Sequence, residues 1–150
     1  MKVIKNSIDN VKFGQGVKII EPVNLYKCHL DDEVFVGPFV EIQAGVKIGK
    51  KTKIQSHSFV CELVSIGRNC FIGHGVMFIN DKFNLKNGPS NDSNLWEKTK
   101  IGNNVSIGSN STILPVNICN DVVIGAGSVV TKHIEKKGIY AGNPAKLIKS

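Results

Sequence analysis

The sequence predicts an all-β chain wound into a triangular prism of stacked coils. Three observations carry that prediction. A large apolar residue recurs every six positions, a small or β-branched residue stands two positions before it, and glycine often comes directly after it.

From Val36, steps of six reach Ile42, Ile48, Ile54, Val60, Ile66, Ile72 and Phe78. Backwards, the register takes in Leu30 and then, after a five-residue step, Leu25, Ile19 and Phe13. It stops after Phe78 and resumes at Ile101, Ile107 and Ile113; a five-residue step leads to Ile118, Ile124 and Val130. The second column reads Val34, Val40, Val46, Thr52, Ser58, Val64, Cys70 and Val76, then Val105, Ser111, Val116, Val122 and Ser128. A helix cannot keep one face apolar at this period, because successive marks rotate by about 240°. A strand can, because both columns share parity and point to one side. Each hexad is therefore a short strand and a turn, with glycine expected where the backbone bends. Three strands per 18-residue coil close a triangle. The hexads make about six coils, a prism about 29 Å tall at a strand spacing of about 4.8 Å. Cys28 and Cys70 fall in the small column and read as core filler.

The segment Asn80 to Lys100 breaks the rhythm. It is polar, contains Asn-Gly-Pro and holds the one tryptophan, Trp96. It is too long for a turn and reads as a loop protruding from the prism, a place that favours functional residues. After Val130 a short tail remains. The 150 residues suit a single domain spanning 1–150. The net charge of +7 comes from scattered basic residues, mostly lysines, without a dense run interleaved with aromatics. That pattern speaks against nucleic acid and suits a phosphate-rich small ligand. The four cysteines form no CxxC pair, and neither a leader-like N-terminus nor an 18-residue apolar run is present. A cytoplasmic protein with reduced thiols, without membrane insertion, is expected.

The hexads, from about Phe13 to Val130, resemble those of the hexapeptide-repeat acyltransferases, and that resemblance implies a left-handed parallel β-helix. The segments "GAGSVVTK" (Gly125–Lys132) and "AGNPAK" (Ala141–Lys146) are similar to the end of the coenzyme A-dependent members. The resemblance implies acetyl-CoA as co-substrate, with pantetheine along Gly108, Ser109 and Ala126 and phosphates near Lys132 and Lys146. It also implies a homotrimer with active sites between subunits. The segments "GPFVEIQ", "QSHS" and "GHGVMFIND" narrow the likeness to N-acetyltransferases of nucleotide-linked amino sugars in O-antigen and other surface-polysaccharide synthesis. One such group acetylates the 3-amino group of dTDP-3-amino-3,6-dideoxyhexoses; a sister group acts on UDP-linked 3-amino uronic acids.

Acetyl transfer to an amine needs a proton acceptor, an oriented amine and a stabilised oxyanion. Histidine suits the first task. His29 and His133 read as surface residues. His74, between Gly73 and Gly75, stacks one coil above Ser56, with His57 beside it. Asn80 holds the same hexad position as His74 one face further round, with Glu62 one coil beneath. The resemblance matches Asn80 to an important family asparagine. The catalytic candidates are therefore Asn80 and His74. Substrate-binding candidates are His57, Gln55, Gln43, Asp81, Glu62 and Trp96. The two histidines on one face do not match the three-histidine zinc arrangement of some hexapeptide proteins, so no metal is expected. A transferase for another small acceptor and a non-catalytic β-solenoid scaffold are the alternatives.

Overall fold

The computed structural model describes residues 1, 7–83 and 92–150. The strands lie on three faces. The first face stacks Ile8–Asp9, Asn24–Tyr26, Glu41–Ile42, Phe59–Val60, Met77–Phe78, Thr112–Ile113 and Val129–Val130. The second stacks Lys12–Phe13, His29–Leu30, Lys47–Ile48, Val64–Ile66, Thr99–Ile101 and Asn117–Ile118. The third stacks Lys18–Ile19, Phe35–Val36, Lys53–Ile54, Phe71–Ile72, Ser106–Ile107 and Val122–Ile124. The pairings within these stacks are parallel and in register, so Val36 lies under Ile54, Ile72, Ile107 and Ile124 in one column. The chain is a parallel β-solenoid of about seven turns, one more than the hexads suggested, because Ile8–Asp9 extends the first face, Ile134 the second and Gly138–Ala141 the third.

The large-residue column is buried from Leu25 to Val130. Only its start departs: Phe13 is 48% exposed at the open end of the prism. The small column is buried as well, and its hydroxyls are satisfied. Thr52 Oγ1 donates to Gly67 O at 2.7 Å, Ser58 Oγ to Gly73 O at 2.8 Å, and Ser128 Oγ to Gly125 O at 2.6 Å. A hydroxyl is tolerated in this core because a coil carbonyl stands within reach.

The role expected of glycine needs correction. Gly37, Gly49, Gly67, Gly73, Gly102, Gly108 and Gly125 follow large residues, yet none has a positive φ. They let successive coils approach. A Cβ on Gly49 would stand 2.6 Å from the carbonyl carbon of Gly67, and one on Gly108 would run into the amide nitrogen of Ala126. The bend falls two residues later, at a left-handed residue. On the edge between the third and first faces these are Phe39, His57, Gly75, Asn110 and Gly127, with φ of 60°, 63°, 66°, 58° and 69°. On the edge between the second and third faces the same place is held by Gly16, Glu33 and Lys51 in the lower coils and by Asn69, Asn104 and Asp121 above them, the last three being residues that tolerate this conformation. Their side chains link up: Asn69 Nδ2 donates to Asn104 Oδ1 at 3.0 Å, and Asn104 Nδ2 to Asp121 Oδ1 at 2.9 Å.

The loop leaves from the edge between the first and second faces. Its root is pinched: Glu97 N donates to Asn80 O at 2.8 Å, and Lys82 Nζ meets Glu97 Oε2 at 2.8 Å. Part of the predicted excursion, 84–91, lies outside the described residues. The predicted tail is more than a tail. Gly138–Ala141 adds a parallel strand to the third face, and Lys146–Lys149 returns antiparallel beside it. Among the described residues, no helix is long and apolar enough to cross a membrane.

Burial pushes the Cys28 thiol up to about 11 and the Cys61 thiol up to about 12, from an ordinary 9.0. The unfolded thiols ionise first, so this stability is complete below pH 9 and is lost as pH rises towards 12. Melting temperature should therefore fall across that window, and Cys61→Ala should flatten the fall. Gly49→Ala should cost about 3 kcal/mol or more, because backbone atoms block the new methyl. Gly45→Ala, at φ 75° with open space around it, should cost only about 1–2 kcal/mol. Denaturant titration of both variants checks this pair.

Candidate active site

The edge between the third and first faces, called the first edge below, gathers one set of the predicted residues. Backbone bonds place its residues in a column: Gly75 N donates to Ser56 O at 2.9 Å, Asn110 N to His74 O at 2.8 Å, and Gly127 N to Ser109 O at 2.8 Å. Ser56, His74, Ser109 and Ala126 therefore stand one above another. The predicted pantetheine residues Gly108, Ser109 and Ala126 continue upward from His74. Gln55 sits at the base of this set, directly before Ser56.

The Ser56 Oγ lies 2.8 Å from His74 Nδ1. That contact occupies one ring nitrogen and turns the other, Nε2, away on an exposed corner. His57 is held differently. Its ring stacks on Phe39, with centroids 4.8 Å apart and planes 28° apart. Both carry positive φ, a costly conformation for a bulky side chain.

The edge between the first and second faces, called the second edge below, gathers the other set. Asn80 Nδ2 donates to Glu62 O at 3.2 Å. Gln43 Nε2 donates to Glu41 Oε1 at 2.9 Å, and Glu62 N donates to Gln43 Oε1 at 3.3 Å. Tyr26 is drawn in, and its phenol is raised by burial first and by the Glu41 and Glu62 charges next. Asp81 Oδ1 accepts from Phe83 N at 2.8 Å and shapes the loop's start. Trp96, half-buried, closes the short 3₁₀ turn Ser93–Leu95 next to Glu97, which bonds Asn80. Because Asn80 Nδ2 is spent on a carbonyl, its Oδ1 is the end left to accept a hydrogen bond.

Within one chain the two sets stay apart. His74 and Asn80 lie in the same coil, at opposite ends of the first face, up to about 20 Å apart along the chain. Lys132 and Lys146 are exposed near the top, where Ala145 N bonds Val129 O at 2.8 Å. His29 is exposed, and His133 Nδ1 accepts from Asn117 N at 2.8 Å. Sequence reasoning gave no role to Ser56 or Phe39. The signal for Ser56 was its 18-residue spacing from His74; Phe39 gave none. Among the described residues, no group of three or more metal-ligating side chains comes together.

The family model for the hexapeptide repeat of succinyl-transferase matches residues 63–77 and 98–132. This chain carries hexapeptide repeats. It is similar to the bifunctional protein GlmU of Streptococcus uberis, 36% identical over 98% of this chain and 30% of that one. A GlmU of Clostridium botulinum is 33% identical over 95% and 32%. The hexapeptide-repeat chain thus spans about a third of the length of these curated relatives. Among solved structures it resembles a hexapeptide-repeat acetyltransferase of Vibrio cholerae with bound acetyl coenzyme A. That likeness has a TM-score of 0.68 and 23% identity, over 79% of this chain and 68% of that one. It also resembles a perosamine N-acetyltransferase of Caulobacter crescentus in complex with CoA and GDP-perosamine. There the TM-score is 0.65 at 19% identity, over 97% and 58%. At these identities the likeness carries the fold.

Ser56→Ala removes the partner of His74 Nδ1 without touching the core. Nitrogen-15 NMR of the imidazole should show one dominant tautomer in the parent and a mixture in the variant, with an unchanged melting temperature.

Proposed function

We propose that this chain is an acetyl-CoA-dependent N-acetyltransferase acting on the amino group of a nucleotide-linked amino sugar. The 3-amino group of a dTDP-3-amino-3,6-dideoxyhexose is the preferred acceptor, and the product serves surface-polysaccharide synthesis in the cytoplasm. The observation that carries this reading is the Ser56–His74 pair at the foot of the Ser109–Ala126 column. Glycines and small residues keep that column low, so an extended thiol cofactor can lie along it with its acyl end at His74. The Caulobacter complex with CoA and GDP-perosamine supports both substrate classes.

The chemistry runs as follows. With Nδ1–H donated to Ser56, the lone pair on His74 Nε2 accepts the amine proton. The amine nitrogen attacks the thioester carbonyl, the C–N bond forms, the C–S bond breaks, and the thiolate leaves and takes up a proton. Asn80 Oδ1 accepts from the amine N–H and orients its lone pair toward the carbonyl. Gln43, Glu62, Asp81 and Trp96 hold the sugar beside Asn80, and Lys132 and Lys146 meet coenzyme phosphates.

One chain keeps His74 and Asn80 a face apart. A cyclic homotrimer, which the resemblance implies, brings the first edge of one copy against the second edge of its neighbour. His74 and Asn80 then serve one groove from two copies.

Thiol release from acetyl-CoA in the presence of the nucleotide-linked amino sugar tests the assignment. His74→Ala should lower kcat about a hundredfold or more, and Asn80→Ala should raise KM as well as lower kcat. A His74→Ala enzyme with near-parent kcat would sink the base role. Acetyl-CoA at a hundred times its Kd should stabilise the fold by about 2.7 kcal/mol; no shift in melting temperature there would contradict the coenzyme site.

A further inference from the structure

The third face holds a feature that the reaction at His74 leaves unused. A cavity of about 650 Å³ opens there, lined by Gly16, Lys18, Glu33, Phe35, Lys53 and Gln55. Its volume falls within the range of small-molecule sites. Phe35 lies between Lys18 and Lys53 on adjacent strands of the ladder. Among the described residues neither lysine enters an ion pair. The one acid at the rim, Glu33, already faces Lys50 at 3.6 Å and Lys51 at 4.0 Å. The cavities on the second face, around Lys47 and Lys100 and around Asn117 and His133, are lined by a histidine each but by no phenylalanine, tyrosine or tryptophan.

We propose that this cavity is a nucleoside-diphosphate subsite. Phe35 offers a part-exposed ring for a planar base, and bases stack on such rings irrespective of their hydrogen-bonding edges. Lys18 and Lys53 reach over that ring from either side and neutralise the diphosphate. Gln55 lines the same cavity and directly precedes Ser56, whose hydroxyl holds His74. Phe35 and His74 lie two rungs apart, about 10 Å along the axis. A hexose hung from the diphosphate covers that gap and carries its amine to the first edge. The subsite rests on the reading of that edge as the place of acetyl transfer, which gives the pendant sugar its position.

Coenzyme A also contains a nucleoside diphosphate, so the ligand chemistry has two sources. The acceptor is the one assigned here, because the coenzyme column of Ser109 and Ala126 rises from His74 while this cavity lies below it.

Calorimetric titration of the full chain with UDP, dTDP and coenzyme A, each without turnover, tests the assignment. UDP or dTDP should bind with an affinity that falls as salt rises. Phe35→Leu should weaken that binding about tenfold, and Phe35→Tyr should restore it. A Lys18→Ala/Lys53→Ala variant should weaken it severalfold and flatten its salt dependence. Coenzyme A affinity should stay unchanged throughout. The subsite is overturned if nucleotide affinity survives these substitutions, if neither nucleotide binds, or if the substitutions weaken coenzyme A instead. All these side chains point outward, so an unchanged melting temperature verifies the fold. Nucleotide binding is read without catalysis, so a failed role for His74 leaves this result standing. Transfer to a nucleotide sugar without binding at Phe35 sinks the subsite alone.

Discussion

Everything in this protein follows from one constraint: each coil must hydrogen-bond to the next at backbone distance, corners included. Gly73 N reaches Ile107 O at 2.8 Å, and Gly108 N reaches Ile124 O at 2.8 Å. At that separation a methyl group on several corner glycines would fall inside the neighbouring coil's backbone. The six-residue period follows, and the five-residue steps to Leu30 and Ile118 still leave those strands in register. The buried columns follow from the period, and so does the vertical alignment of residues one coil apart.

Alignment of this kind turns sequence spacing into geometry. Ser56 and His74 sit within 2.8 Å because eighteen residues make one turn. Asn80 finds the Glu62 carbonyl for the same reason. Side chains on such a ladder are fixed by rigid backbone, which supplies the preorganisation that group transfer requires. The left-handed corner positions add a second level of selection. Most hold asparagine, aspartate or glycine, which accept that backbone cheaply. Phe39 and His57 are among those that do not, and their stacked rings lie one coil beneath Ser56 and beside it.

Most of the fold was legible in the sequence. The two columns identified the inward residues from Leu25 to Val130, because equal parity on a strand means one side. The function of the repeated glycines was not legible: sequence shows that a side chain is excluded, not whether conformation or a neighbouring coil excludes it. The candidate site was half legible. The stacking of His74 on Ser56, and of Asn80 on Glu62, follows from subtraction. That the two pairs belong to different edges also follows, but its consequence needs the width of a face. The six positions from His74 to Asn80 look near in the chain and span a whole wall of the prism. Phe39 was hidden because propensity speaks against a phenylalanine at positive φ. The cavity around Phe35 was hidden because outward residues carry no periodic signature.

The proposed site is shared by two copies, with His74 from one and Asn80 from the next. Subunit complementation tests it most directly. His74→Ala and Asn80→Ala chains are each purified as inactive assemblies, then unfolded together and refolded, and acetyl transfer to a nucleotide-linked amino sugar is followed by product mass. The account predicts that the mixture regains a substantial fraction of parent activity, because some interfaces pair an intact His74 with an intact Asn80. A mixture as inactive as its components, despite proven hybrid assembly, would contradict it.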